Sequence, residues 1–215
     1  MNKYRRIILL LCTAIVVAFL FWYSSVLQDA FYLIADYLSV LAFQNELLAI
    51  FVFILVAVLA ALVSPLTNVP LIPVAVLIWG PASATIFLLI GWIIGDILAY
   101  FIGYYFGHKV ASYFVSNEKL DNWSRVVKER THFSTALFLR LALPAELGYA
   151  FGIIRYPAGA YVLVTFLAEL PFAFVSTYAS EAVLYGEALK FFGLIGILAV
   201  IIFVAYRMNH KRRAQ

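Results

Sequence analysis

The sequence predicts an all-α, polytopic membrane protein with two inverted re-entrant hairpins and about four full transmembrane helices. Three observations predict it. Of 215 residues, 66% are hydrophobic and 12% charged, and mean hydropathy is +1.00; a soluble domain of this size needs far more charge to cover its surface. Five apolar runs, Ile7–Trp22, Leu47–Val63, Ala84–Ile102, Ala158–Phe174 and Phe191–Tyr206, approach or reach the length that crosses about 30 Å of hydrocarbon at about 1.5 Å per residue. The basic residues behind the net charge of +4 gather at both termini and in one central loop. That is the pattern of cytoplasmic segments facing anionic lipid, and it argues against nucleic acid as a partner.

The first element, residues 1–46, divides into an anchor helix and an interfacial helix. Lys3, Arg5 and Arg6 precede the apolar run, which ends in Trp22-Tyr23-Ser24-Ser25 and not in a small-x-small cleavage site, so an uncleaved anchor is expected. Cys12, the single cysteine, lies inside this run, and a bulky leucine before it argues against a lipoprotein site. Ser25, Asp29, Tyr32, Asp36 and Ser39 then recur every three or four residues. They form one polar stripe, as on a helix lying in the outer interface.

The core, 47–185, starts with an apolar arm, Leu47–Val63, broken by Ser64–Pro73. Pro65, Pro70 and Pro73 fall within nine residues around Asn68, and the stretch carries no charge. Prolines remove amide donors and clash with the preceding turn. An uncharged break between apolar arms suits a re-entrant hairpin, here 47–80, covered by protein or a wet cavity. The arrangement recurs in 133–155. Phe133–Leu143 is apolar apart from Arg140, Pro144 breaks it, and Leu147–Ile154 resumes.

A full span follows each hairpin, 82–107 after Pro81 and 157–179 from Pro157, a residue suited to a first helical turn. Each span carries one acid, Asp96 or Glu169. Pro73, Gly80 and Asp96 match Pro144, Gly152 and Glu169 at separations of 71, 72 and 73 residues, a faint internal repeat of the kind common in transporter folds. Entering the hairpins from opposite faces keeps both termini and the basic 108–132 segment in the cytoplasm. If Leu47–Val63 crossed fully, and nothing else changed, that loop and the C-terminus would move outside, against the positive-inside bias. Within 108–132, Val110, Tyr113, Phe114, Leu120, Trp123 and Val127 fall at roughly helical spacing, as in a helix on the cytoplasmic leaflet; a solvated linker is the alternative, since Asn117 and the mixed charge signs interrupt the pattern. Residues 186–215 complete the chain as a last transmembrane helix and a basic tail.

The candidate site residues are ionisable groups at membrane depth: Asp96, Arg140, Glu146 and Glu169. Such groups usually mark a pathway for substrate or ions. Arg140 stays charged and can hold a phosphate or carboxylate bidentately, while surplus acids can carry protons. A buried Arg140–carboxylate pair of purely structural value is the alternative. Gly91, Gly95, Ala99, Gly103 and Gly107 recur every four residues and form a ridge against which a second helix can pack closely. His108, His132 and His210 show no metal-ligand spacing, no phosphate-binding Gly-rich loop occurs, and no nucleophile has a base and an orienting acid. The sequence therefore predicts no enzyme, no metal and no cofactor.

The break Ser64–Pro73, Gly91-Trp92-Ile93-Ile94-Gly95-Asp96 continuing to Tyr100 and Gly103–Gly107, and Arg140…Pro144…Gly152 together resemble the DedA superfamily, in its VTT-domain branch, also called the SNARE-associated Golgi protein family. The resemblance covers about residues 45–185. It implies two opposed re-entrant hairpins and movement of lipids between leaflets. In prokaryotic relatives the cargo includes polyprenyl-phosphate carriers, with proton coupling proposed; in eukaryotic relatives phospholipid is scrambled. Two departures stand out. Family members usually carry an acid in the first hairpin, and Ser64–Pro73 has none. Glu146 also stands where a second arginine is usual.

The expectation is a lipid translocase or scramblase, a flippase-like protein of a prokaryotic inner (plasma) membrane. Its partners would be membrane lipids, through their phosphate head groups, and protons; a homo-oligomer is allowed. Arg140 would engage the head group, Asp96 and Glu169 would serve as counter-charges or proton carriers, and Glu146 would gate or pair with Arg140. Two other classes compete: a proton- or cation-coupled transporter of a small solute, and a non-transporting scaffold docking through Lys109–His132.

Overall fold

The computed structural model describes residues 25–63, 68–128, 133–142 and 147–211, with side chains over 32–63, 68–125, 133–141 and 147–204. The expected anchor near 7–23 and Pro65, Pro144 and Glu146 lie outside the described residues. Among those described, every regular element is a helix.

Helix α1, Ser25–Gln44, carries the expected polar stripe outward: Tyr32, Asp36 and Ser39 are all exposed. Its inner face sets Leu38 against Ala49 and Val74. Helix α2, Glu46–Leu62, starts where Asn45 takes an extended backbone and its side-chain oxygen accepts from Leu48 N–H at 3.1 Å. That bond satisfies one of the donors a helix start leaves open.

Helix α3, Leu71–Ala111, bends at two glycines, Gly80 (φ 76°, ψ 164°) and Gly107 (φ 59°, ψ −150°). Both take a left-handed φ that a side chain would resist. Pro81 then opens the long middle run, where its missing amide is no loss. Pro70 and Pro73 flank the start of the first short run for the same reason. The polar linker that follows is helical over Asn117–Lys128, α4. Helices α5 (Phe133–Ala142) and α6 (Leu147–Ile153) stand on either side of the second break. Helix α7 covers Ala158–Leu184 and α8 Ala188–Lys211.

Among the described residues, α3 and α7 are the two helices long and apolar enough to cross a membrane. Their outer faces suit lipid. Ile86, Ile90, Ile94 and Leu98 recur every fourth residue on α3 and are all exposed, as are Leu163, Phe166, Leu170 and Phe174 on α7. The inner face of α3 is small and polar, with Gly91, Gly95, Asp96, Ala99, Tyr100 and Gly103 all buried. Against it lie α2, the short α6 and α7.

The small residues set those distances. A Cβ on Gly95 would stand 2.7 Å from both the Ala61 Cβ and the Val58 carbonyl oxygen of α2. On Gly103 it would strike the Tyr149 carbonyl of α6, and on Gly152 of α6 the Tyr100 carbonyl of α3. One ridge therefore receives two partners, α2 at Gly91 and Gly95 and α6 from Ala99 to Gly103. Gly107 does not belong to that ridge, since among the described residues nothing lies within 4 Å of an added Cβ; its role is the bend. Helix α7 runs antiparallel to α3, so Thr85 meets Thr177, oxygen to oxygen at 2.6 Å, while Tyr161 hydroxyl reaches the Asp96 carbonyl at 3.2 Å.

Candidate functional site

Halfway along the α3–α7 seam lies a cluster of three charges from three helices. Asp96 comes from α3, Glu169 from α7, and Arg140 from the last turn of α5. A cation suits a helix C-terminus, where the carbonyl ends carry partial negative charge. One guanidinium nitrogen, Nη2 of Arg140, donates to Asp96 Oδ2 and lies 2.8 Å from Glu169 Oε1. The Arg140 side chain is 1% exposed, Asp96 0% and Glu169 13%. Charges so enclosed lose several kcal/mol of hydration each, which only close pairing recovers.

Among the described residues two carboxylates face one guanidinium, so these three groups carry one formal negative charge in excess when all are ionised. Uptake of one proton would make it neutral. Glu169 is also two residues before Pro171, whose missing N–H leaves the Leu167 carbonyl without its helical partner. The cluster therefore sits where α7 is locally weakened.

Tyrosines line one end of the cluster. Tyr161 stacks on Tyr100 at 4.8 Å between ring centroids, and Tyr100 on Tyr104 at 6.0 Å. Tyr100 hydroxyl donates to the Tyr156 carbonyl at 2.5 Å. Thr165, fully buried, lies one helical turn from both Tyr161 and Glu169, so Tyr161, Thr165 and Glu169 form one polar line on α7.

Asn68 is 3% exposed, at the end of the first break. Its Nδ2 has no hydrogen-bond partner among the described residues, and neither has Nε of Arg140. Tyr149, just past the second break, donates its hydroxyl to the carbonyl of Leu62, just before the first, at 2.9 Å. The flanks of the two breaks therefore touch. Of the residues expected to form the site, Asp96, Arg140 and Glu169 come together; Glu146, Pro65 and Pro144 fall outside the described residues.

The sequence reading missed Tyr161, Thr165 and the Thr85–Thr177 pair. The four-residue spacing of Tyr161, Thr165 and Glu169 within an apolar run was the available signal. Nothing local indicates that Thr85 and Thr177, 92 residues apart, would meet.

Long apolar helices outside and one enclosed guanidinium between two carboxylates inside define a helical membrane protein built around a buried ionic centre. The VTT domain model matches residues 64–182, more than half of the chain, and the protein belongs to that family. No curated protein and no solved structure matches it. The matched stretch holds Asn68, Asp96, Arg140 and Glu169. It leaves α1, α2 and α8 outside, so it starts later than the resemblance, which began near residue 45.

Proposed function

We propose that this protein moves phosphate-headed lipid, phospholipid or polyprenyl phosphate, between the leaflets of a cell membrane. The observation that carries the reading is Arg140, held between carboxylates of two different helices at the α3–α7 seam. A fixed cation poised between internal anions can exchange one of them for a lipid phosphate, since a guanidinium binds either with the same fork. Protonation of Asp96 or Glu169 would free it to do so, and this is the route by which a proton gradient could couple to transport.

The topology that serves this reading has hairpins 47–80 and 133–155 entering the membrane from opposite faces. The contact from Tyr149 to Leu62 supports the meeting of the two hairpins, because it joins the flanks of the two breaks. In this reading both termini and the 108–132 segment are cytoplasmic, on the positive-inside argument, and no covalent chemistry is involved.

The test is leaflet exchange of labelled phosphatidic acid in vesicles containing the purified protein. Wild type is expected to accelerate exchange. Arg140→Ala is expected to abolish it, with circular dichroism showing a helical, folded protein. Exchange by that variant at the wild-type rate would remove Arg140 from the mechanism.

A second reading, a proton- or cation-coupled transporter of a small solute, draws on the excess of carboxylates over guanidinium in the cluster. Solute uptake driven by a pH gradient, without lipid exchange, would favour it.

A further inference from the structure

Arg155 occupies a backbone position that glycine ordinarily takes. Helix α6 ends in a paired closure, with Arg155 N–H donating to the Gly152 carbonyl at 2.9 Å and Tyr156 N–H to the Phe151 carbonyl at 3.0 Å. Such an ending turns the residue after the helix left-handed, and glycine is favoured there because a Cβ crowds the neighbouring carbonyl. Arg155 adopts φ 57° and is the one non-glycine residue with positive φ among those described; Gly80, Gly107 and Gly186 fill the other such positions. The backbone does not ask for arginine here, so the side chain must supply the reason.

That side chain is exposed, and no described carboxylate is ion-paired with it, unlike Arg140 and Lys190. Its guanidinium lies over the Tyr104 ring, 5.3 Å from the centroid. A cation–π contact of this kind anchors the group over the ring while its N–H donors can still serve an oxyanion. Tyr104 continues through Tyr100 and Tyr161 as a row of stacked rings. The row ends where Tyr161 bonds the Asp96 carbonyl, beside Arg140. On the same turn of α3, Tyr105 is 71% and Phe106 60% exposed, aromatic rings of the kind that sit at a membrane–water boundary. Arg140 itself is enclosed and already paired, within a cluster of net negative charge. An incoming phosphate would need an earlier cation.

We propose that Arg155, held over the Tyr104 ring, is the docking point for the phosphate of a lipid head group at the mouth of the route to Arg140. The proposal rests on the lipid reading above and adds its first contact. A free phosphate has the same anionic chemistry, but the exposed rings of Tyr105 and Phe106, on the helical turn that carries Tyr104, favour a lipid.

The test uses the full chain in detergent, titrated calorimetrically with a short-chain phosphatidic acid, with the diacylglycerol of the same chains, and with inorganic phosphate. Wild type is expected to bind phosphatidic acid well above the other two. Arg155→Gly suits the backbone and is expected to melt at or above the wild-type temperature, while binding phosphatidic acid about tenfold more weakly, the loss expected for charge-assisted hydrogen bonds. Arg155→Lys keeps the charge without the fork and should fall between them. A merely structural arginine predicts the reverse, unchanged binding and a lower melting temperature for Arg155→Gly. That result would overturn the proposal. So would no preference of wild type for phosphatidic acid over diacylglycerol, or full displacement of the lipid by equimolar inorganic phosphate.

Leaflet exchange measured in parallel separates this proposal from the one it rests on. Arg155-dependent binding without exchange would overturn the translocase and leave the docking point standing. Exchange with undiminished binding by Arg155→Gly would do the opposite.

Discussion

Replacing Arg140 by methionine tests the ionic cluster as a physical object. Methionine fills much of the space of the arginine stem and adapts to irregular surroundings, so the change removes mainly charge and hydrogen bonds. It leaves Asp96, 0% exposed, and Glu169, 13% exposed, facing each other without a cation. Breaking a buried pair in this way costs about 3–5 kcal/mol, because the surviving charge is neither hydrated nor paired. That is a large part of a total stability on the order of 5–15 kcal/mol. Neutralising all three groups, in Asp96→Asn/Arg140→Met/Glu169→Gln, removes the stranded charges as well. Stability should then return to within about 1 kcal/mol of wild type or exceed it, with lipid exchange still absent. The assay is denaturant unfolding of the purified protein in detergent, followed by circular dichroism. A loss below about 1 kcal/mol for Arg140→Met would mean that water reaches the cluster, since exposed pairs contribute that little. A triple variant no more stable than the single one would refute the reasoning as a whole.

Two further outcomes follow from packing and hydrogen bonding. Gly95→Ala places a Cβ 2.7 Å from Ala61 and from the Val58 carbonyl, so α2 must withdraw, at a cost of about 1–3 kcal/mol. Adding Ala61→Gly relieves one of those two contacts and should recover part of the loss; the same melting curves check both variants. Tyr149→Phe leaves the Leu62 carbonyl without the phenolic donor and should cost about 1 kcal/mol. Faster hydrogen exchange near the end of α2 would locate the effect.

Much of the helix layout was legible because prolines and glycines act locally. Gly80-Pro81 divides α3 where the sequence places a break, and the second arm resumes at Leu147 as expected. Asp96, Arg140 and Glu169 were legible as rare ionisable groups in apolar runs, which hydrocarbon tolerates only when they pair. That Arg140 would pair with a carboxylate was legible; that one of its nitrogens reaches both Asp96 and Glu169 was not, since it depends on how α5 and α7 dock on α3. The four-residue ridge was legible as close packing, yet one stripe cannot reveal that α2 and α6 share it, nor that Gly107 leaves it to make a bend. Arg155 was invisible as anything beyond another cytoplasmic basic residue, because its interest lies in a backbone angle. The number of spans was the least legible feature. Among the described residues two helices are long and apolar enough to cross, and α2, with 17 residues, has a length that suits either a crossing or a re-entrant arm.

The central claim is that the two broken arms enter the membrane from opposite faces and meet beside the Arg140 cluster. Single cysteines at Asn68 and Ala145, after replacement of Cys12, test it with an impermeant thiol reagent applied to one side of oriented vesicles. The account requires Asn68→Cys to react only from outside and Ala145→Cys only from the cytoplasmic side, both more slowly than a cysteine at exposed Tyr113 in the 108–132 segment. Rapid reaction of Asn68→Cys from the cytoplasm, or reaction of both positions from one side, would contradict it.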